Sequence, residues 1–264
     1  MVLSVDPRIV LVGLVVGTLV GLSGVGGGSL VTPLLVLALG IKPAIAVGTD
    51  LLYSVPTKLL GAIVHHRQGT VDWRVVRYLV LGGIPAAVAG LVALAFLQSN
   101  VGMDGVNAVL RHALAVMLFL ASVAVLVRPL LARWVKQGDG DVDGTWTPGG
   151  VARIVALGAV VGFLVSLTSI GSGSLTVPLL YFLLPRLGLR RLVGADVAFA
   201  AILIPVAAAG HFQLGHVNVG LAANLVIGSL PGVFIGSRLC ARVPEVWFRP
   251  ALAGTLLFVG SKLF

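Results

Sequence analysis

Apolar residues arrive along this chain in blocks rather than as one stripe per helix. From Val75 to Leu97 the sole charge is Arg77, and Ala113–Val127 and Val219–Ser237 carry none. A helix on a soluble protein keeps a polar face, whereas a bilayer span needs about 20 mostly apolar residues. The pattern predicts an all-α polytopic membrane protein. Its first set of blocks is Ile9–Leu22, Leu30–Leu39, Ala44–Val64, Val75–Leu97 and Leu110–Val127. A second set follows at Ile154–Leu167, Leu175–Leu184, Leu192–Ala209, Val219–Leu239 and Phe248–Leu263. The second block of each set is about ten residues, or about 15 Å of helix against about 30 Å of hydrocarbon. With a glycine cluster before it, each reads as part of a re-entrant hairpin or a discontinuous helix. Ile9–Leu22 lacks a charged leader and an Ala-x-Ala site, so it is expected to be a retained first helix.

The two sets are one unit repeated. Gly26-Gly27-Gly28-Ser29-Leu30-Val31-Thr32-Pro33 matches Gly171-Ser172-Gly173-Ser174-Leu175-Thr176-Val177-Pro178 at an offset of 145. Gly13 and Gly17 map onto Gly158 and Gly162 at the same offset. Downstream the offset is 146, pairing Gly48-Thr49-Asp50-Leu51 with Gly194-Ala195-Asp196-Val197 and His65 with His211. Gly82, Pro85 and Gly90 then face Gly228, Pro231 and Gly236. The organisation expected is a first transmembrane repeat at 1–132, a polar linker at 133–150 and a second repeat at 151–264.

Composition and charge sharpen this reading. Only 10% of the 264 residues are charged and 58% are hydrophobic, against about 25% charged in a soluble domain. That excludes a soluble enzyme or a nucleic-acid binder as an account of the whole chain. The net charge of +9 sits in connectors, where it sets orientation. If each half crosses an odd number of times, thirteen basic residues fall on one side and four on the other, with Lys58 inside a span. An even count gives nine against eight. The asymmetry predicts inverted repeats, a cytoplasmic linker and both termini outside the cytoplasm, in the cell (inner) membrane. Cys240 is the only cysteine, so no intramolecular disulfide exists.

Candidate chemistry gathers in two places. Non-helical backbone at membrane depth survives only where protein or a wet cavity satisfies it. The amides at Gly26, Gly27, Gly28 and Ser29, and at Gly171, Ser172, Gly173 and Ser174, would be free donors at two helix starts and suit an anion. Gly13, Gly17, Gly21, Gly158 and Gly162 are read instead as close-packing positions. In the third block Asp50, Ser54, Thr57, Lys58, Gly61 and His65 form one polar stripe at 100° per residue. Intramembrane ionisable residues mark function by default. Lys58 is a candidate anion counter-charge, or alternatively a partner for Asp50. Asp50 and Asp196 are candidates for proton coupling or for helix capping. The second-half stripe keeps only its ends, with Ile204 where Lys58 stands. His65, His66, His211 and His216 read as interfacial residues rather than metal ligands. Asp139-x-Asp141-x-Asp143-Gly144 imitates a calcium loop but has Gly150 where its glutamate belongs. No metal, nucleotide or other cofactor motif stands out.

Both glycine clusters, Gly48-Thr49-Asp50-Leu51-Leu52, His65-His66-Arg67-Gln68-Gly69-Thr70-Val71-Asp72-Trp73 and Gly228-Ser229-Leu230-Pro231-Gly232 resemble the sulfite exporter (TauE/SafE) family, also called the 4-toluenesulfonate uptake permease family. The resemblance covers nearly the whole chain. It implies a transporter of small sulfur-containing anions such as sulfite or organosulfonates, with the lipid bilayer as its setting. Thr49, beside Asp50, is also a substrate-site candidate. Asp50 stands where family members often have serine, and Ser172 replaces a glycine. Two other readings remain: a membrane-embedded anion receptor or partner subunit without turnover, and a divalent-cation carrier using Asp50 and Asp196. Homo-oligomerisation is left open.

Overall fold

The computed structural model describes residues 5–23, 28–134, 146–240 and 245–263. Every element among them is a helix: α1 (Pro7–Ser23), α2 (Gly28–Leu39), α3 (Pro43–Arg67), α4 (Trp73–Trp134), α5 (Pro148–Thr168), α6 (Thr176–Leu183), α7 (Leu189–Gln213), α8 (Val219–Cys240) and α9 (Glu245–Leu263). The linker's calcium-like run, and Gly26 and Gly27, lie outside the described residues.

The 62 residues of α4 would measure about 93 Å if straight, about three times the hydrocarbon thickness. Gly102, with φ 70° and ψ −176°, breaks the helix. Leu94 and Leu97 before the break share one apolar cluster with Met103, Val106 and Leu110 after it. The chain therefore doubles back at Gly102, a conformation open to glycine and strained for other residues. The fourth and fifth blocks are the two arms of this hairpin.

Local signals set the other boundaries. Pro43 and Pro148 open α3 and α5 at the first turn, where a missing N–H is harmless. The Thr147 hydroxyl also caps α5 by accepting from the Gly150 amide at 3.2 Å. With 12 and 8 residues, α2 and α6 reach about 18 Å and 12 Å, too short to span. Among the described residues, four helices, α4, α5, α7 and α8, contain stretches long and apolar enough to cross a membrane. Large apolar side chains such as Leu81, Phe96 and Phe258 point outward, as lipid-facing residues do.

The repeat is legible in the packing. Helix α1 lies along α8, and α5 lies along the first arm of α4, so each half lends its first helix to the fourth helix of the other. The contacts correspond residue by residue. Gly13 meets the Leu225 backbone as Gly158 meets Leu79, and Gly17 meets Ser229 as Gly162 meets Gly83. A Cβ at any of these four glycines would collide with a carbonyl of the facing helix, which confirms them as packing positions. The equivalent helices α3 and α7 cross at the centre and run antiparallel. A methyl at Gly48 would lie 3.2 Å from His211 Cβ, and one at Gly61 would lie 3.0 Å from Val197 Cγ1. One apolar core serves both halves, drawing Leu51 from α3, Leu79 from α4, Val161 from α5 and Phe199 from α7.

Candidate functional site

The polar stripe of α3 faces the second half's glycine cluster. Helix α5 ends at Ser169, left-handed at φ 60°, with its amide bonded to the Val165 carbonyl at 2.8 Å. The chain then winds through Gly171, Ser172, Gly173 and Ser174 before α6 begins. This segment lies against Lys58. The Lys58 ammonium, half-buried, donates to Ser172 Oγ at 3.2 Å. Ser172 Oγ in turn donates to Asp196 Oδ2 at 3.3 Å. A cation of the first half and a carboxylate of the second are thus joined through one hydroxyl.

Asp50 completes the cluster. It is fully buried and accepts from Thr32 Oγ1 of α2 at 2.6 Å, with Ser54 Oγ at a long 3.5 Å. The Ser169 hydroxyl also faces it, and Lys58 acts electrostatically on both Asp50 and Asp196. Pro56 sits inside α3 one turn beyond Leu52, so the Leu52 carbonyl loses its helical donor beside the stripe. On the second half's side two buried atoms have no hydrogen-bond partner, Asp196 Oδ1 and Ser174 Oγ. Buried polar atoms are rarely left unpaired, so this is a place where a proton, a water or a ligand atom would be stabilised.

Three expectations are corrected. Asp50 and Asp196 do not cap their helices: α3 and α7 start seven residues earlier, with Lys42 and Gly188 as the flanking residues. The amides of the second glycine cluster are not all free. The Gly173 amide faces Asp196, and just beyond the cluster the Leu175 and Thr176 amides bond the Gly171 carbonyl at 3.0 and 3.1 Å. The anion served by this helix start is thus partly the protein's own carboxylate. His211 and His216 are buried rather than interfacial, at 0% exposure each.

Other sequence candidates are placed as follows. Gly28 and Ser29 open α2. Thr49 points away from Lys58 toward the α7–α8 connector, where its hydroxyl accepts from the Asn218 amide at 3.1 Å. His65 bonds Thr70 Oγ1 at 2.9 Å and lines a polar cavity with Gln68, Thr70 and Arg190. Sequence reasoning missed Thr32 and Ser169 as partners of Asp50. Thr32 lies inside the quoted repeat motif, so its position was visible although its role was not.

A family model described as Sulfite exporter TauE/SafE matches residues 9–263. The probable membrane transporter protein YjnA of Bacillus subtilis is 40% identical over 259 residues, covering 97% of this chain and 98% of that protein. YdhB, a probable membrane transporter protein of the same organism, is 30% identical over 94% of this chain and 98% of its own length. A probable membrane transporter protein of Methanocaldococcus jannaschii is 20% identical over 96% and 93%. No solved structure matches the chain.

Proposed function

The chain belongs to the sulfite exporter TauE/SafE family of membrane transporters, and we propose that it is a secondary transporter of a small sulfur-containing anion working by alternating access. The observation that carries this reading is the Lys58–Ser172–Asp196 connection between the halves, with Asp50 beside it. One ammonium and two carboxylates sum to −1 when all are ionised. An anion entering such a site is repelled until at least one carboxylate is protonated. Anion and proton would therefore move in the same direction. Asp196, whose Oδ1 has no partner, is the first candidate carrier and Asp50 the second.

Support for alternating access comes from the antiparallel α3–α7 pair and the exchanged α1 and α5 helices, which favour a reading of the halves as inverted repeats. The glycine segments beside α2 and α6 would then form the two sides of one substrate site, with Ser172, Gly173 and Ser174 contributing donors beside Lys58. The divalent-cation reading has less support, because an ammonium already acts on both carboxylates.

Flux of labelled sulfite, thiosulfate and organosulfonates in proteoliposomes tests the proposal. Protein-dependent uptake that rises with a parallel proton gradient is expected. Flux of none of these anions would reject it, and stabilisation by cobalt or nickel instead would favour the cation carrier. Orientation is tested separately by a cysteine at Gly140 in a background lacking Cys240. An impermeant reagent applied to intact cells should leave it unlabelled if the linker is cytoplasmic and both termini are outside.

A further inference from the structure

His211 at the end of α7 and His216 in the following connector form a chain of hydrogen bonds that limits where their protons can sit. His211 Nε2 lies 2.7 Å from the Ser166 carbonyl of α5, the two Nδ1 atoms lie 3.3 Å apart, and His216 Nε2 lies 2.9 Å from Gln98 Oε1 of α4. A carbonyl only accepts, so His211 Nε2 carries hydrogen. A neutral imidazole has a single N–H, which leaves His211 Nδ1 bare. The hydrogen between the two Nδ1 atoms must then belong to His216. With Gln98 presenting its oxygen, His216 Nε2 needs a hydrogen as well. In that amide orientation the pair holds one proton more than two neutral rings; with the Gln98 NH₂ turned to Nε2 both rings are neutral.

We propose that His211 and His216 form a buried binding site for one proton, separate from the Lys58 cluster, taken up at His216 Nε2 and matched by a turn of the Gln98 amide. When the proton leaves, Gln98 rotates its NH₂ toward the bare Nε2 and every contact is still satisfied. When it returns, Oε1 accepts from Nε2–H, and the charge is shared through the Nδ1–H···Nδ1 bond. The other groups facing the rings carry no charge: Gly48 of α3 meets the His216 carbonyl and the His211 Cβ, and α5 offers only the Ser166 carbonyl. The titratable neighbour of each ring, among the described residues, is the other ring.

The equivalent turn in the first half makes the contrast. His65 Nδ1 meets Thr70 Oγ1 at 2.9 Å, where His211 meets His216. The Thr70 hydroxyl donates to the His65 carbonyl at 3.0 Å and so accepts from His65 Nδ1, which a neutral imidazole satisfies with its single N–H, so that turn calls for no extra proton. The second-half site also touches the segment that holds Asp50. The His216 carbonyl lies against Gly48, and the Asn218 amide donates to Thr49. Proton occupancy is therefore placed where the α7–α8 connector grips the start of α3.

Nitrogen-15 spectra of histidine-labelled protein in lipid nanodiscs test the proposal without measuring transport. In the wild type, a through-bond coupling between the two Nδ1 atoms should appear. Acidification should move both rings together with one midpoint, the largest change falling on His216 Nε2. Gln98→Glu, whose ionised carboxylate accepts and adds a negative charge beside His216, should tighten proton binding by about tenfold or more. His216→Thr, which installs the residue of the sister turn, should abolish the shared midpoint while leaving a monodisperse protein. Separate midpoints for the two rings would overturn the proposal, as would absence of the coupling at every pH at which the protein is folded.

Discussion

Helices α3 and α7 are the same helix used twice, and they differ in what their centres carry. Both have 25 residues, both place an aspartate at the eighth position, and both end in a histidine-bearing turn. From Asp50, α3 continues with Ser54 and Lys58; from Asp196, α7 continues with Ala200 and Ile204. Ala200 and Ile204 are buried in the shared core, at 0% and 3% exposure. Lys58 instead reaches out of its own half to Ser172. The second half supplies the glycine–serine segment and a carboxylate with an orphan oxygen, and the first half supplies the cation. Duplication built a symmetric frame, and the proposed site lies where the symmetry was abandoned. At the histidine turns the divergence runs the other way, with the second half acquiring the group that demands a proton.

The frame is where substitution should do most damage. Gly17→Leu and Gly162→Leu drive a side chain into the facing backbone at equivalent places, Ser229 and Gly83. Because helices in lipid associate through close packing rather than a hydrophobic driving force, both variants should fail to yield monodisperse protein. Size-exclusion chromatography after mild solubilisation checks this. A folded Gly162→Leu beside an unfolded Gly17→Leu would show that the two crossings are not equivalent.

Lys58→Ala comes next and should remove most anion transport while the protein still folds. Losing a charged hydrogen-bonding partner should weaken anion binding by about 1.5–3 kcal/mol, roughly 10- to 150-fold in affinity. Lys58→Arg should rescue only in part, because a planar fork replaces a compact ammonium. The alternative is that Lys58 exists only to neutralise Asp196 through Ser172. In that case Lys58→Ala combined with Asp196→Asn would restore both expression and flux, and the binding role would be rejected. Ser172→Ala removes the bridging hydroxyl but neither charge, so its loss should be smaller, about 3- to 10-fold, in line with one neutral hydrogen bond. Equal losses for Ser172→Ala and Lys58→Ala would mean that the bridge, not the cation, matters.

These variants also mark what a single sequence can and cannot yield. The blocks, the duplicated glycines and the polar stripe were legible because each depends on residue type at a fixed period. Close packing at Gly13, Gly17, Gly158 and Gly162 followed from spacing alone, although the partner helices did not. The block starts at Ala44 and Leu192 lie close to the helix starts at Pro43 and Leu189, but the capping role offered for Asp50 and Asp196 fails because both stand seven residues inside, with Lys42 and Gly188 at the boundaries. Burial of His211 was not legible, because the group that covers it, Gly48, comes from the other half. Thr32 and Ser169 were missed for the same reason: their role exists only once α2 and the end of α5 converge on Asp50.

The smallest effect should come at the place equivalent to Lys58. Ile204 is buried among apolar side chains of the main core. Ile204→Leu keeps volume and polarity and moves one methyl, a change that cores absorb for less than about 1.5 kcal/mol. Transport should stay within about twofold of the parent, and the melting temperature should fall only slightly. If the halves shared the work of binding, this position would line the substrate path as proposed for Lys58, and a reshaped side chain would alter substrate selectivity. A changed preference between sulfite and a bulkier organosulfonate in Ile204→Leu would therefore show that the second half's stripe is functional, and that the asymmetry between α3 and α7 lies in charge rather than in use.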